Sequence, residues 1–116
     1  MNPKIITAVK ALDKKKALDI KALKVEDLTI VTEAFVIAAG TSSTHVRSLA
    51  DEVEYQMKLA GFEPRQIEGK ATGWILLDYH DVIIHIFTPD QREHYNLEKF
   101  WADGEEMDLS EIVTED

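Results

Sequence analysis

Asp78, Asp81 and His85 are the side chains whose types and spacing suggest metal binding or acid–base chemistry. Asp78 and His85 lie in two apolar stretches, and Asp81 belongs to the dipeptide His80-Asp81 that joins them. This pattern is typical of a strand, a two-residue turn and a second strand. In such a hairpin Asp78 and His85 share one face, whereas Asp81 lies in the turn. A protein metal site needs three or four converging ligands, and at most two converge here. We therefore expect no metal site, and we expect His85 to be a hydrogen-bonded histidine in a packed or interfacial setting.

The segment Gly40-Thr41-Ser42-Ser43 is a second candidate, because backbone amides between a strand and a helix can bind phosphate. It lacks the lysine of a Walker motif and the glycine spacing of a dinucleotide fingerprint. A tight turn followed by a helix N-cap is the favoured interpretation. The other histidines lie on separate predicted elements, and no serine or threonine is placed with both a base and an orienting acid. These residues match no catalytic or cofactor-binding motif, and we expect no cofactor.

The hairpin itself predicts two faces of different composition. With His80-Asp81 as the loop, Tyr79 pairs with Val82 and Trp74 pairs with Phe87. One face then carries the apolar side chains expected in the core: Ile75, Leu77, Tyr79, Val82, Ile84 and Ile86. The other face carries Trp74, Leu76, Asp78, Ile83, His85 and Phe87. That second face is too apolar to be open to water, so either this chain or another molecule must cover it.

The segments before the hairpin predict the rest of a small α/β domain. They comprise a helix that starts at Asn2-Pro3, a half-exposed strand at 17–24, a fully buried strand at 34–39, a helix after Ser43 that ends at Gly61, and a short strand within 62–68. The strand–helix–strand order from 34 to 68 favours a right-handed crossover. We therefore predict a mixed sheet of about five strands with three helices.

The chain after the hairpin predicts the third helix and an acidic tail. Thr88-Pro89-Asp90-Gln91 has the form of a capping box, and Leu97 and Trp101 are spaced one helical turn apart. From Asp103 onward there are seven acids and no basic residue. We predict one domain at 1–102 and an acidic C-terminal tail at 103–116, which docks partly through its apolar residues.

Charge is distributed unevenly along the chain. Residues 1–24 contain seven lysines and two acids, whereas residues 25–116 carry a net charge of −14. Such an acidic body repels nucleic acid and favours basic partners, so no direct recognition of nucleic acid is expected. No apolar run is long enough to span a membrane, and neither a secretory signal core nor a cysteine is present. We expect a cytoplasmic protein.

Four apolar residues of the second hairpin face, Trp74, Leu76, Ile83 and Phe87, leave two interpretations open. A helix of the same chain could cover them, which is the usual fate of an apolar sheet face. Alternatively, a tryptophan beside Asp78 and His85 has the composition of a protein–protein interface. Periodicity alone does not decide between these two.

The sequence resembles the Iojap family of ribosomal silencing factors up to Trp101. The matching segments are Phe-Val-Ile-Ala-Ala-Gly-Thr-Ser-Ser-Thr-His-Val at 35–46, Ile-Glu-Gly at 67–69, Trp-Ile-Leu-Leu-Asp-Tyr-His-Asp-Val-Ile-Ile-His-Ile-Phe at 74–87, Arg-Glu-His-Tyr at 92–95, Leu-Glu at 97–98 and Phe-Trp at 100–101. One departure is His80, where the family usually has glycine, which suits a turn with positive φ.

This resemblance implies a mixed-sheet domain shaped like a nucleotidyltransferase but without catalytic activity. It also implies binding to the fourteenth protein of the large ribosomal subunit, which blocks joining of the small subunit, and a role in large-subunit maturation. Carried over position by position, the partner-binding residues would be Trp74, Leu76, Asp78, Ile83, His85, Arg92 and Tyr95.

Two alternative functions follow from the same residues. One is a degenerate nucleotidyltransferase that binds nucleotide through Gly40-Thr41-Ser42 and Asp78. The other is a self-association module that buries the Trp74 face in a homodimer.

Overall fold

The computed structural model describes residues 1–69 and 73–113, which form four helical segments and six strands in one mixed sheet. In chain order these are α1 (Pro3–Lys14), β1 (Leu18–Lys24), β2 (Ala34–Ala39), α2 (Ser43–Leu59), β3 (Gln66–Glu68), β4 (Trp74–Asp78), β5 (Val82–Phe87), α3 (Pro89–Tyr95), α4 (Leu97–Phe100) and β6 (Glu105–Glu106). The strand order is β3-β4-β5-β2-β1-β6, with β2 and β5 parallel and the other pairs antiparallel. The α/β class and the mixed sheet are confirmed, but the described sheet has six strands rather than about five.

The central hairpin has the predicted register. Trp74 pairs with Phe87 and Asp78 pairs with Ile83, while the Tyr79 amide donates to the Val82 carbonyl at 2.9 Å. His80 lies in the turn with φ +73°, a conformation that favours glycine. The predicted loop length therefore sets which side chains of β4 and β5 share a face.

Helices α1 and α2 cover the first face of the sheet. Asn2 caps α1 by accepting from the Lys4 amide at 2.9 Å, and Pro3 occupies the first helical position. The apolar side of each helix packs on Ile75, Leu77, Val82, Ile84 and Ile86. Strand β2 is buried along its whole length, as its continuous apolar run predicted.

The second face is partly covered by the chain that follows the hairpin. The single helix predicted there is instead broken at Asn96, which has φ +44° and separates α3 from α4. The indole of Trp101 packs on Phe35, with 5.1 Å between ring centroids, and Leu97 joins the same apolar cluster. Thr88 precedes α3 but its side chain makes no capping hydrogen bond, so the predicted capping box does not form.

Residues after 102 pack on the body of the domain. Glu105–Glu106 pairs with Leu23 and Lys24 as β6, and the Met107 amide donates to the Ala22 carbonyl at 2.8 Å. Leu109 is buried in the same core as α1 and α2. The predicted boundary between residues 102 and 103 therefore does not coincide with a gap in the packing. No helix within 1–69 or 73–113 is long and apolar enough to cross a membrane.

Candidate functional site: the groove beside Trp74

A groove of about 360 Å³ opens at the start of the hairpin, between the β3 edge of the sheet and α3. Its described lining consists of Glu68, Gly69, Gly73, Trp74, Leu76, Gln91 and Tyr95. Trp74 and Leu76 are half-buried, and Tyr95 is 46% exposed. At this groove part of the second face of the sheet stays accessible.

Trp74 is held among aromatic rings at one side of the groove. Its ring lies 4.4 Å from that of Tyr95 and 5.1 Å from that of Phe87, measured between centroids. Its indole N–H donates to Nδ1 of His85 at 3.1 Å. Contacts within the domain therefore fix the orientation of the indole, and part of its surface lines the groove.

His85 is buried beneath this cluster, with 5% of its surface exposed. Because Nδ1 accepts from Trp74, the neutral ring carries its proton on Nε2, which has no hydrogen-bond partner among the described residues. Burial lowers the pKa of His85 to about 4, since charging the ring here would require desolvating a cation. The sequence predicted a packed, hydrogen-bonded histidine, and this is confirmed. The ring itself does not lie on the accessible surface.

Asp78 is also engaged within the domain. Its carboxylate accepts from Nη2 of Arg65 at 2.7 Å and from the backbone amide of His80 at 2.9 Å. Only 10% of its side chain is exposed. Asp78 thus holds the turn and the segment before β3, while its contact with a partner stays a prediction.

Ile83 is 7% exposed and packs in a cluster with Leu23, Val25 and Phe35. Of the two interpretations left open by the sequence, cover by the chain itself therefore holds at Ile83 and His85 in the free domain. The chain's own β1–β2 connection and α4 region supply part of the cover. Trp74, Leu76 and Tyr95 are the predicted residues that the structure brings together at the groove.

Arg92 on α3 is engaged within the domain. Its Nε donates to Glu98 at 2.7 Å, and Glu98 also accepts from Lys21 at 3.3 Å. Burial alone would raise the pKa of Glu98, but these two cations lower it overall. The pair joins the two sides of the Asn96 break, so Arg92 supports the site rather than lining the groove.

The carboxylate of Asp81, which the sequence offered for chemistry, is engaged in an ion pair. Asp81 is bound by Lys4 at 2.5 Å and by Asn2 at 2.7 Å, away from Asp78 and His85. Within the described residues, no group of three or more His, Asp or Glu side chains is arranged to hold a metal ion.

The Gly40–Ser43 turn is accounted for by local structure. Ser42 caps α2 by accepting from the His45 amide at 3.1 Å, and Nδ1 of His45 accepts from the Thr41 amide at 2.9 Å. A Cβ atom on Gly40 would lie 2.9 Å from the Val46 nitrogen, so glycine is needed for the close turn. The N-cap interpretation is confirmed.

The chain is similar to known proteins along most of its length. The family model described as "Ribosomal silencing factor during starvation" matches residues 1–116. The chain belongs to this family. A ribosomal silencing factor from Bacillus subtilis is 39% identical over 112 residues, covering 94% of this chain and 95% of that protein. The chloroplastic Iojap protein of Zea mays is 31% identical over 104 residues, covering 90% of this chain and 46% of its own length.

The fold is shared with solved structures as well. A crystal structure of a protein from Chromobacterium violaceum matches with a TM-score of 0.83 and 32% identity, and 88% of each chain is covered. Membership of the ribosomal silencing factor family identifies a ribosome-associated regulator of translation. The family match also includes the segment after residue 102, which the sequence resemblance had left out.

Sequence reasoning missed the residues that frame the groove. Glu68 ends β3, Gly69 follows it, Gly73 directly precedes β4, and Gln91 lies in the first turn of α3. Their composition carries no signal, because they meet only when the β3 edge and α3 lie beside the start of β4. Phe35 and Trp101 were likewise not identified as the pair that covers one part of the second face.

Proposed function

We propose that this chain represses translation by binding the fourteenth protein of the large ribosomal subunit at the groove beside Trp74. Bound there, it would occupy the face at which the small subunit docks. The observation that carries the proposal is the accessibility of Trp74 and Leu76 on a sheet face that is otherwise closed. A small, partly exposed aromatic patch within a polar rim is the composition of an interaction hot spot.

Charge supports a basic partner. The chain has a net charge of −9, and Glu68 lines the groove while Asp90 and Glu93 are exposed on α3. A protein that is embedded in ribosomal RNA is expected to be cationic. Complementary charge would steer the encounter, and the apolar residues would supply the shape of the contact.

The mechanism that we propose is steric and involves no turnover. The domain measures 34 × 33 × 31 Å along its principal axes. A folded body of this size held on the docking face would keep the small subunit from approaching. A nucleotidyltransferase would need paired aspartates after its glycine–serine turn, and none follow Gly40 in this sequence.

The test is co-sedimentation with isolated large subunits for the wild type, Trp74→Glu and Tyr55→Glu. Tyr55 is the matched control because it is a 57% exposed aromatic on α2, which covers the opposite face of the sheet. We expect the wild type and Tyr55→Glu to pellet with the subunits and Trp74→Glu to remain in the supernatant while folded. Equal pelleting of all three proteins would place the contact elsewhere.

Two further measurements test the alternatives. A rise in melting temperature with nucleotide and Mg²⁺ would support the nucleotidyltransferase interpretation, because a ligand that binds only the folded state stabilises it. Mass measured across a dilution series tests self-association. A homodimer that buries Trp74 would compete with the ribosome for that face. If such a dimer forms, we expect it to dissociate before the chain co-sediments with large subunits.

A further inference from the structure

We propose that His85 is a positioning residue, which holds the Trp74 indole as one wall of the groove so that a partner meets its ring surface and not its N–H. This inference rests on the proposed function for the identity of the partner. It rests on the structure for the orientation of the indole.

The hydrogen bond between these side chains has one direction. An indole N–H can only donate, so Nδ1 of His85, 3.1 Å away, must be the unprotonated ring nitrogen. The acceptor lies on a side chain with 5% exposure, so the N–H points into the domain. The polar group of Trp74 is thereby used internally, and its carbon surface is what remains for the groove.

The acceptor is itself fixed by packing. The His85 ring stacks on Phe87 with an interplanar angle of 10°, and its centroid lies 5.2 Å from that of Phe35. Both phenylalanines are buried. A ring held on two sides offers Nδ1 in one place, so the indole has one preferred orientation. Without this acceptor, the N–H would favour a rotamer that reaches water, and the wall of the groove would move.

Leucine and asparagine at position 85 form a matched pair of variants. The two side chains have nearly the same shape and size, but only the asparagine oxygen can accept near the place of Nδ1. His85→Leu therefore removes the acceptor, and His85→Asn keeps one. A purely space-filling role for His85 would make the two variants alike or favour leucine, which suits an apolar site.

The first measurement uses NMR and needs no ribosome. We expect ¹⁵N spectra of the wild type to show His85 protonated at Nε2, and the Trp74 indole cross-peak to move toward the position of a solvent-exposed indole in His85→Leu. In His85→Asn the cross-peak should stay closer to the wild-type position. The Trp74→Phe variant assigns the peak against that of Trp101. A proton on Nδ1, or an unmoved peak in His85→Leu, overturns the proposal.

The second measurement is affinity for large subunits. His85→Leu should weaken binding about three- to tenfold, the equivalent of one neutral hydrogen bond, and His85→Asn should recover part of it. In a Trp74→Phe background the same His85→Leu change should alter affinity less than about twofold, because the group being positioned is gone. Folded His85→Leu that binds like the wild type, or equal losses for leucine and asparagine, would contradict the inference.

The two measurements separate this inference from the proposed function. If the wild type does not bind large subunits, the proposed function fails while the NMR result still decides whether His85 orients the indole. If the wild type binds and the NMR arm fails, only the positioning role is lost.

Discussion

Lowering the pH from 7 to 5 should destabilise the wild type, and the buried histidine of β5 should account for most of this loss. His85 has a pKa of about 4 in the folded domain, lowered by burial from an ordinary value of 6.5. Between these values the unfolded chain takes up a proton that the folded chain does not. Stability from the neutral ring is therefore complete above about pH 6.5 and is lost progressively as the pH falls toward 4.

The size of the effect follows from the two pKa values. The difference between 6.5 and about 4 corresponds to about 3 kcal/mol once the pH is below both. About 2 kcal/mol of that should be lost between pH 7 and pH 5. The carboxylates of Asp81 and Glu98 have lowered pKa values, because the cations and hydrogen bonds around them outweigh the effect of burial. Their contributions are lost only at lower pH, outside this interval.

The assay is urea unfolding followed by far-UV circular dichroism at pH 7 and pH 5, for the wild type and His85→Leu. The variant keeps every other histidine, so the difference between the two pH dependences isolates His85. We expect the wild type to lose about 2 kcal/mol more than the variant. Equal losses in both proteins would mean that His85 is not held neutral by burial, and the description of the aromatic cluster would be wrong.

Three further predictions concern the turn, the Asp78–Arg65 ion pair and the segment after residue 102. His80→Gly should raise the free energy of unfolding by up to about 1 kcal/mol in urea titrations, since φ is +73° there; a decrease would contradict this. Asp78→Asn should lower the free energy of unfolding by about 1–2 kcal/mol in the same assay, a modest value because Arg65 is half-exposed. The same variant should bind large subunits nearly as the wild type does. A large loss of binding at wild-type stability would instead show that the carboxylate contacts the partner. Leu109→Ala should cost about 2 kcal/mol because Leu109 is buried, whereas exposed Glu111→Ala should be neutral, and equal effects would exclude docking of this segment.

The hairpin could be predicted in detail because its determinants are local. A two-residue loop fixes which residues pair, and strict alternation then assigns every side chain between Trp74 and Phe87 to a face. Strand β2 was equally clear, since an unbroken apolar run of six residues suits burial on both sides. Position 80 was identified as a site for positive φ through the family resemblance, and its φ of +73° agrees.

Which residues of the chain cover the second face could not be predicted, because this depends on contacts between residues that are distant in sequence. Asp78 is neutralised by Arg65, which comes from the segment before β3, and Phe35 is covered by Trp101. Helical spacing of Leu97 and Trp101 predicted one continuous helix. The left-handed conformation of Asn96, which asparagine tolerates better than most residues, ends that helix after Tyr95.

The break at Asn96 also explains why the groove exists. With φ of +44° the chain leaves α3 and restarts as α4, so that Leu97 and Trp101 reach the Phe35 side of the sheet. The Arg92–Glu98 pair joins the two helices across the break at 2.7 Å. Cover is thus concentrated on the Phe35 side, while at the start of the hairpin Tyr95 lies against Trp74 and part of both rings stays accessible. The proposed docking surface lies beyond this cover, and the left-handed turn at Asn96 contributes to its extent by directing Leu97 and Trp101 to the Phe35 side.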